Sequence, residues 1–84
     1  MTRFWPHGVP ITVMTNDHAT PLAVTWDGAR HLVDIVERRW RDDLLWWRTR
    51  IWREYFVLRT QSGLLIMIYH DIVSDTWRLQ RLYD

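Results

Sequence analysis

Several residue types that build functional sites are missing from this chain. It has no cysteine, so neither a disulfide framework nor a thiolate zinc site can form. It has no lysine either, and all eleven basic residues are arginines, which stack on aromatic rings and form paired hydrogen bonds with carboxylates or phosphates. The three glycines are isolated from one another, which excludes a glycine-rich phosphate loop.

Long hydrophobic runs are also absent. The longest, LLIMIY at residues 64–69, is too short to span a bilayer, and the first residues contain no uninterrupted apolar segment of the kind found in export signals. We therefore expect a cytoplasmic protein that does not enter a membrane.

The composition predicts one folded domain. The chain has 84 residues, of which 48% are hydrophobic and 14% aromatic, and large aromatic side chains can fill a small core from few positions. Pro6, Gly8 and Pro10 predict an irregular lead-in over residues 1–10. Residues 11–84 are then expected to form a single small β domain.

Turn signals divide the first part of the chain into short strands. ITVM predicts a strand near residues 11–15 and LAVTW a second, with the polar cluster TNDHATP between them. Asp27 and Gly28 predict the tight turn of a β-hairpin.

The middle of the chain allows two interpretations. Residues 29–62 contain neither glycine nor proline, and their apolar residues recur at spacings of three or four, which fits one long amphipathic helix. However, HLVDIV and IWREYFVLRT are rich in β-branched and aromatic residues, and no capping residue stands near position 30. These features favour strands over 31–40 and 51–60, joined by a loop or one short helical turn near 42–48.

The last third predicts two more strands. The apolar residues of LLIMIYH run continuously, as in a strand buried on both faces, whereas TWRLQRLY alternates as a half-buried strand at an edge. We thus expect a mainly β fold, a small antiparallel barrel or strongly bent sheet of five to six strands and SH3-like size. Its predicted core consists of Trp52, Phe56, Ile66, Ile68 and Leu79.

No catalytic or metal-binding motif emerges from the residues. The four histidines lie far apart without paired metal-ligand spacing, and both serines fall in predicted turns. His70 beside Asp71 is the one pair suited to acid–base chemistry, and an aspartate that begins a turn explains it more simply. We expect no enzyme activity, no cofactor and no metal.

The segment ERRWRDDLLWWRTRIWREYF, residues 37–56, concentrates basic and aromatic side chains. It holds four of the seven tryptophans, and residues 38–53 carry a charge of +4 while the rest of the chain carries −3. Such a segment could stack single-stranded nucleic acid on its rings, dock a protein partner through them, or merely close the barrel with arginines lying over the rings. The candidate binding residues are Arg39, Trp40, Arg41, Trp46, Trp47, Arg48, Arg50 and Arg53.

A family resemblance narrows these options. The order WDG, ERRWR, WW, REYF, a lone Gly63, YHD and WRLQRLYD resembles a small bacterial family without established biochemistry. Its members occur beside, or as the C-terminal tail of, Y-family-like polymerase-related proteins of the damage-inducible mutagenesis cassette. The similarity covers residues 22–84. It implies an accessory role in translesion synthesis or DNA repair, through contact with single-stranded DNA or with polymerase-related proteins.

Self-association is a separate expectation. Seven tryptophans exceed what one small core can enclose, and the net charge is only +1, so exposed ring surface and weak repulsion both favour contact between copies. We predict a homodimer formed through Trp46 and Trp47 or through the last strand. Arg78 and Arg81 oppose the second route, because charged side chains guard edge strands.

Overall fold

The computed structural model describes residues 2–46 and 49–83, which form seven β-strands and contain no helix. The strands are β1 (Arg3–Pro10), β2 (Thr12–Thr15), β3 (Pro21–Trp26), β4 (Ala29–Trp46), β5 (Thr49–Thr60), β6 (Leu65–Asp71) and β7 (Thr76–Tyr83). The prediction of a mainly β, strongly bent antiparallel sheet is confirmed. Within the described ranges there is no helix long and apolar enough to cross a membrane.

All seven strands belong to one curled sheet in the order β1-β7-β6-β5-β4-β3-β2. The two edge strands follow one another in the chain, since β1 ends at Pro10 and β2 begins at Thr12. The intervening Ile11 donates its backbone N–H to the carbonyl of Trp77 at 3.2 Å. The rings of Trp5 on β1 and Trp26 on β3 meet edge to face, with centroids 6.3 Å apart. These contacts curl the sheet into a half-barrel.

The concave side of the half-barrel holds the core. Its fully buried members are Val24, Phe56, Leu58, Ile66, Ile68 and Leu79, against which partly buried side chains of β1, β2 and β4 pack. We call this side the inner face and the opposite side the outer face. Because side chains alternate along a strand, each residue's register partner tells which face it occupies.

The β4–β5 hairpin extends beyond the rest of the sheet. On one side, β3 pairs with β4 only over residues 29–32, and on the other, β6 pairs with β5 only from Arg53 onward. Residues 42–46 and 49–52 therefore form a two-stranded ribbon, which we call the hairpin arm. Leu44 and Leu45 in this arm are 57% and 76% exposed.

Two predictions about local structure are wrong. Residues 3–10, predicted to be irregular, form β1, which supplies the seventh strand. The strand accommodates its glycine and prolines because Gly8 adopts a positive φ of +71° and the register with β7 shifts between Phe4 and Val9. The short helical turn near 42–48 is replaced by strand up to Trp46, since each residue from 39 to 46 has a cross-strand partner on β5. The same pairing overturns the long-helix alternative.

Two predictions about packing also need correction. Trp52 was expected in the core, but it lies in the hairpin arm, where it is half-buried beneath Arg50. The other four predicted core residues are buried. The last strand, predicted to be an edge, is covered by β1, which leaves no free edge there for a second copy.

Candidate functional site

Strand alternation places the predicted binding residues on opposite faces of the sheet. Arg39 and Arg41 are register partners of Phe56 and Glu54, which puts them on the inner face, and Arg50 shares that face. Trp40 and Arg53 lie on the outer face. Trp46 ends β4 opposite Thr49, and the structure describes its backbone but not its side chain. Trp47 and Arg48 lie outside the described residues. The eight residues therefore do not form one surface.

The inner arginines Arg39 and Arg41 converge on one buried carboxylate, that of Glu54. Arg39 donates from Nε to Oε2 at 3.1 Å and from Nη2 to Oε1 at 3.2 Å, and Arg41 donates from Nε to Oε2 at 3.2 Å. The Glu54 side chain is only 9% exposed. A further hydrogen bond runs from Arg39 to the Thr20 hydroxyl.

The charge state of Glu54 follows from these contacts. Burial alone would raise the pKa of its carboxyl, but the hydrogen bonds and positive charges of Arg39 and Arg41 outweigh burial and lower that pKa below its ordinary value. In the hairpin arm, Arg50 likewise pairs with Asp43 at 3.1 Å and lies over the Trp52 ring. The three inner arginines thus already have carboxylate partners.

The outer face carries a row of aromatic rings across three adjacent strands. Trp40 on β4 stacks on Tyr55 of β5, with centroids 5.2 Å apart and planes within 6° of parallel. Tyr55 in turn lies 5.4 Å from Tyr69 of β6. We call these three rings the aromatic row. Trp40 and Tyr55 are half-buried, so part of each ring faces solvent.

Two arginines lie against the aromatic row. The Arg38 guanidinium lies 5.0 Å from the centre of the Trp40 ring, and that of Arg53 lies 4.6 Å from the centre of Tyr69. Arg53 also donates to the Tyr55 hydroxyl at 3.4 Å. Neither arginine lies within salt-bridge distance of a carboxylate in the described part of the chain, although Asp42 and Asp71 are the cross-strand neighbours of Arg53.

The far end of the aromatic row is closed by β1. Tyr69 is buried, which raises the pKa of its phenol, and its hydroxyl donates to the carbonyl of His7 at 3.3 Å. Gly8 lies so close to β7 that a Cβ atom there would stand 2.7 Å from Cβ of Arg78. Within the aromatic row, the surface open to solvent is therefore that of Trp40 and Tyr55.

A second group of the same composition lies further across the outer face. Arg81 on β7 has its guanidinium 5.0 Å from the Phe4 ring and 5.6 Å from the Tyr83 ring. Arg81 is the register partner of both Phe4 and Met67, which places it on the same face as the aromatic row. The outer face thus carries two groups in which arginine lies over aromatic rings, one on β4, β5 and β6 and the other on β7 and β1.

His70 and Asp71 do not act as a pair. The His70 ring contacts Asp75 at 2.8 Å and stacks on Trp77, whereas Oδ1 of Asp71 accepts the backbone N–H groups of Val73 and Ser74. Asp71 therefore organises the turn, as the simpler interpretation predicted. Among residues 2–46 and 49–83, no three histidine or acidic side chains are grouped as metal ligands.

Sequence reasoning missed Arg38 and Tyr55 as candidate site residues. The signal was present, since Tyr55 shares a strand face with Arg53, and Arg38 stands two residues before Trp40. What the pattern did not reveal was the register between β4 and β5, which decides that Trp40 meets Tyr55.

No protein-family model, curated protein or solved structure matches this chain. The resemblance to the polymerase-associated family therefore stays a prediction made from the residues alone.

Proposed function

We propose that this protein is a non-enzymatic module that binds single-stranded nucleic acid on the outer face of its sheet. The observation that carries the proposal is the Trp40–Tyr55 stack with Arg38 and Arg53 beside it. Unpaired bases stack on aromatic side chains without regard to sequence, and each stacked base contributes about 1–3 kcal/mol. Arginines next to the rings would hold the phosphates between the stacked bases.

The proposal changes the role of three residues that the sequence suggested for binding. Arg39, Arg41 and Arg50 hold carboxylates of their own chain, so a phosphate would have to displace an existing ion pair. We assign them to the stability of the β4–β5 hairpin. Arg38 and Tyr55 take their place beside Trp40 and Arg53.

The biological setting is proposed from the resemblance. Translesion synthesis and repair expose single-stranded DNA, so a small accessory domain with an aromatic sheet face would serve there by holding template strand near a polymerase-related protein. The binding surface itself does not depend on that setting, because stacking and phosphate contacts act on any unpaired strand.

Fluorescence anisotropy of a labelled single-stranded oligonucleotide tests the proposal at low and high salt. Trp40→Ala should weaken binding about 5- to 150-fold, the equivalent of one stacked base. Arg38→Gln should weaken binding. It should also reduce the slope of log affinity against log salt concentration by about 1, as expected for the loss of one phosphate contact. Arg50→Gln is the matched control, since it removes the same charge from the inner face and should leave affinity almost unchanged.

Two outcomes would contradict the proposal. One is the absence of binding at low salt by a chain whose circular dichroism shows an intact sheet. The other is an equal loss for Arg38→Gln and Arg50→Gln, which would mean that only net charge matters.

A second candidate function is docking to a protein. It is favoured by the hairpin arm, where Leu44 and Leu45 project from the two faces of a ribbon that the rest of the sheet does not cover. A polymerase-related protein is the partner that the resemblance suggests. A pull-down with wild-type and Leu45→Ser chains tests it. We expect the wild type alone to retain a polymerase-related protein. Equal retention by both chains would exclude the hairpin arm as the docking surface.

A further inference from the structure

One edge of β4 is left without a partner strand over most of its length. β3 pairs with β4 through Ala29 to Leu32 only, and no described strand lies beside residues 33–46 on that side. An open edge presents backbone N–H and C=O groups that readily pair with another strand. The described part of the chain thus offers a long pairing template next to the hairpin arm.

The hairpin arm would be stabilised by an additional strand beside it. A two-stranded ribbon is at best marginally stable in water, and it gains stability when further strands join it. Leu44 and Leu45 lie on opposite faces of this ribbon, so folding of one chain cannot bury both against its own core. A strand added along β4 would extend the ribbon and provide neighbours on both faces.

We propose that two copies of this chain dimerise by antiparallel pairing of their β4 edges, with a two-fold axis passing through Asp42. In this register a residue at position n faces the residue at position 84 minus n in the second copy. The sum of paired positions is even, so inner faces continue into inner faces and outer into outer.

The sequence of the edge complements itself in this register. Arg41 faces Asp43 of the second copy, and Trp40 faces the exposed Leu44 of the second copy, each pair occurring twice by symmetry. Opposite charges and an aromatic–aliphatic contact are stabilising when they lie directly across from one another. Two pairs are less favourable. Asp42 faces its own copy, with Arg53 beside it on β5 in each chain, and Arg39 faces Leu45.

The adjacent registers are poorer. An axis through Arg41 sets that arginine against its own copy and Trp40 against an aspartate. An axis through Asp43 sets two aspartates together and leaves Arg41 opposite a leucine. Neither register combines charge pairing with burial of Leu44, which favours the axis at Asp42 and favours a second copy over an unrelated peptide.

Dimerisation would bring the two aromatic rows onto one continuous outer face. Trp40 of each copy would then stand near the axis, and a single strand could cross from one copy to the other. The dimer itself does not rest on nucleic-acid binding, since the pairing uses only backbone groups and side chains of β4.

The absence of native cysteine allows a clean cross-linking test. In Asp42→Cys the two new thiols would face each other across the axis, where Cα atoms of opposed residues lie about 4.5–5.5 Å apart, within the range of a disulfide. Leu44→Cys is the matched control, because its two copies would be offset by four residues, about 13 Å. Mild oxidation should convert most Asp42→Cys chain to covalent dimer and leave Leu44→Cys largely monomeric on a denaturing gel.

Sedimentation equilibrium of the wild-type chain keeps the proposal testable if a cysteine variant misfolds. The expected mass is twice 10.4 kDa at micromolar concentration, and Leu44→Asp should shift it towards the monomer. A wild-type chain that stays monomeric with an intact β spectrum would overturn the dimer and leave the edge to another partner. Equal cross-linking of the two cysteine variants would overturn the register. A wild-type chain that is dimeric but binds no single-stranded oligonucleotide would refute the proposed function and leave the dimer standing.

Discussion

Replacing Glu54 by glutamine measures how much the ion pairs of Arg39 and Arg41 contribute to the free energy of unfolding. The substitution keeps the side-chain volume and removes the charge that accepts three hydrogen bonds, at 3.1, 3.2 and 3.2 Å. Hydrogen bonds to a charged group contribute about 1.5–3 kcal/mol each when buried. Arg39 and Arg41 are 37% and 59% exposed, so water replaces much of what they lose. We expect a total loss of about 2 kcal/mol in the free energy of unfolding.

The assay is urea and thermal unfolding followed by circular dichroism. A loss of this size lowers the melting temperature of a domain of 60–100 residues by about 8–16 °C. Glu37→Gln is the matched control, because Glu37 pairs with Arg59 at 3.2 Å and both side chains are well exposed. Such a surface pair contributes about 0–1 kcal/mol. Equal losses in the two variants would refute the view that Glu54 anchors the hairpin.

Three further predictions concern stability. Because its pKa is lowered on folding, Glu54 should stabilise the wild type above pH 4.5 and lose that contribution as the pH falls below this ordinary value. Urea midpoints between pH 7 and 3 should fall less in Glu54→Gln. Gly8→Ala should cost about 2–4 kcal/mol through positive φ and overlap with Arg78, whereas Gly28→Ala, with similar φ and open space, should cost about 1–2 kcal/mol. Equal denaturation midpoints would contradict this difference. Leu79→Ala should cost about 2–5 kcal/mol in the same assay, because this side chain is fully buried, and a loss below 1 kcal/mol would place it outside the core.

The strands and turns were largely predictable because their signals are local. Asp27 and Gly28 both adopt positive φ in the two-residue turn that their residue types favour, and Trp26 pairs directly with Ala29. The apolar run at 64–69 gives a strand in the interior of the sheet with Ile66, Ile68 and Tyr69 buried. By contrast, Pro6, Gly8 and Pro10 concealed β1, since its pairing with β7 depends on residues some seventy positions away.

The sequence by itself determined that the chain is β-rich, where most strands lie, and that its arginines and aromatic rings concentrate in one segment. Only the tertiary structure decided which of those side chains share a surface. Alternation sends Arg39 and Trp40 to opposite faces, and the register of β4 on β5 gives Glu54 to Arg39 and Tyr55 to Trp40. A cluster in sequence is thus divided into a buried ion-pair network and an outer aromatic row, because strand neighbours point in opposite directions while contacts are made across strands.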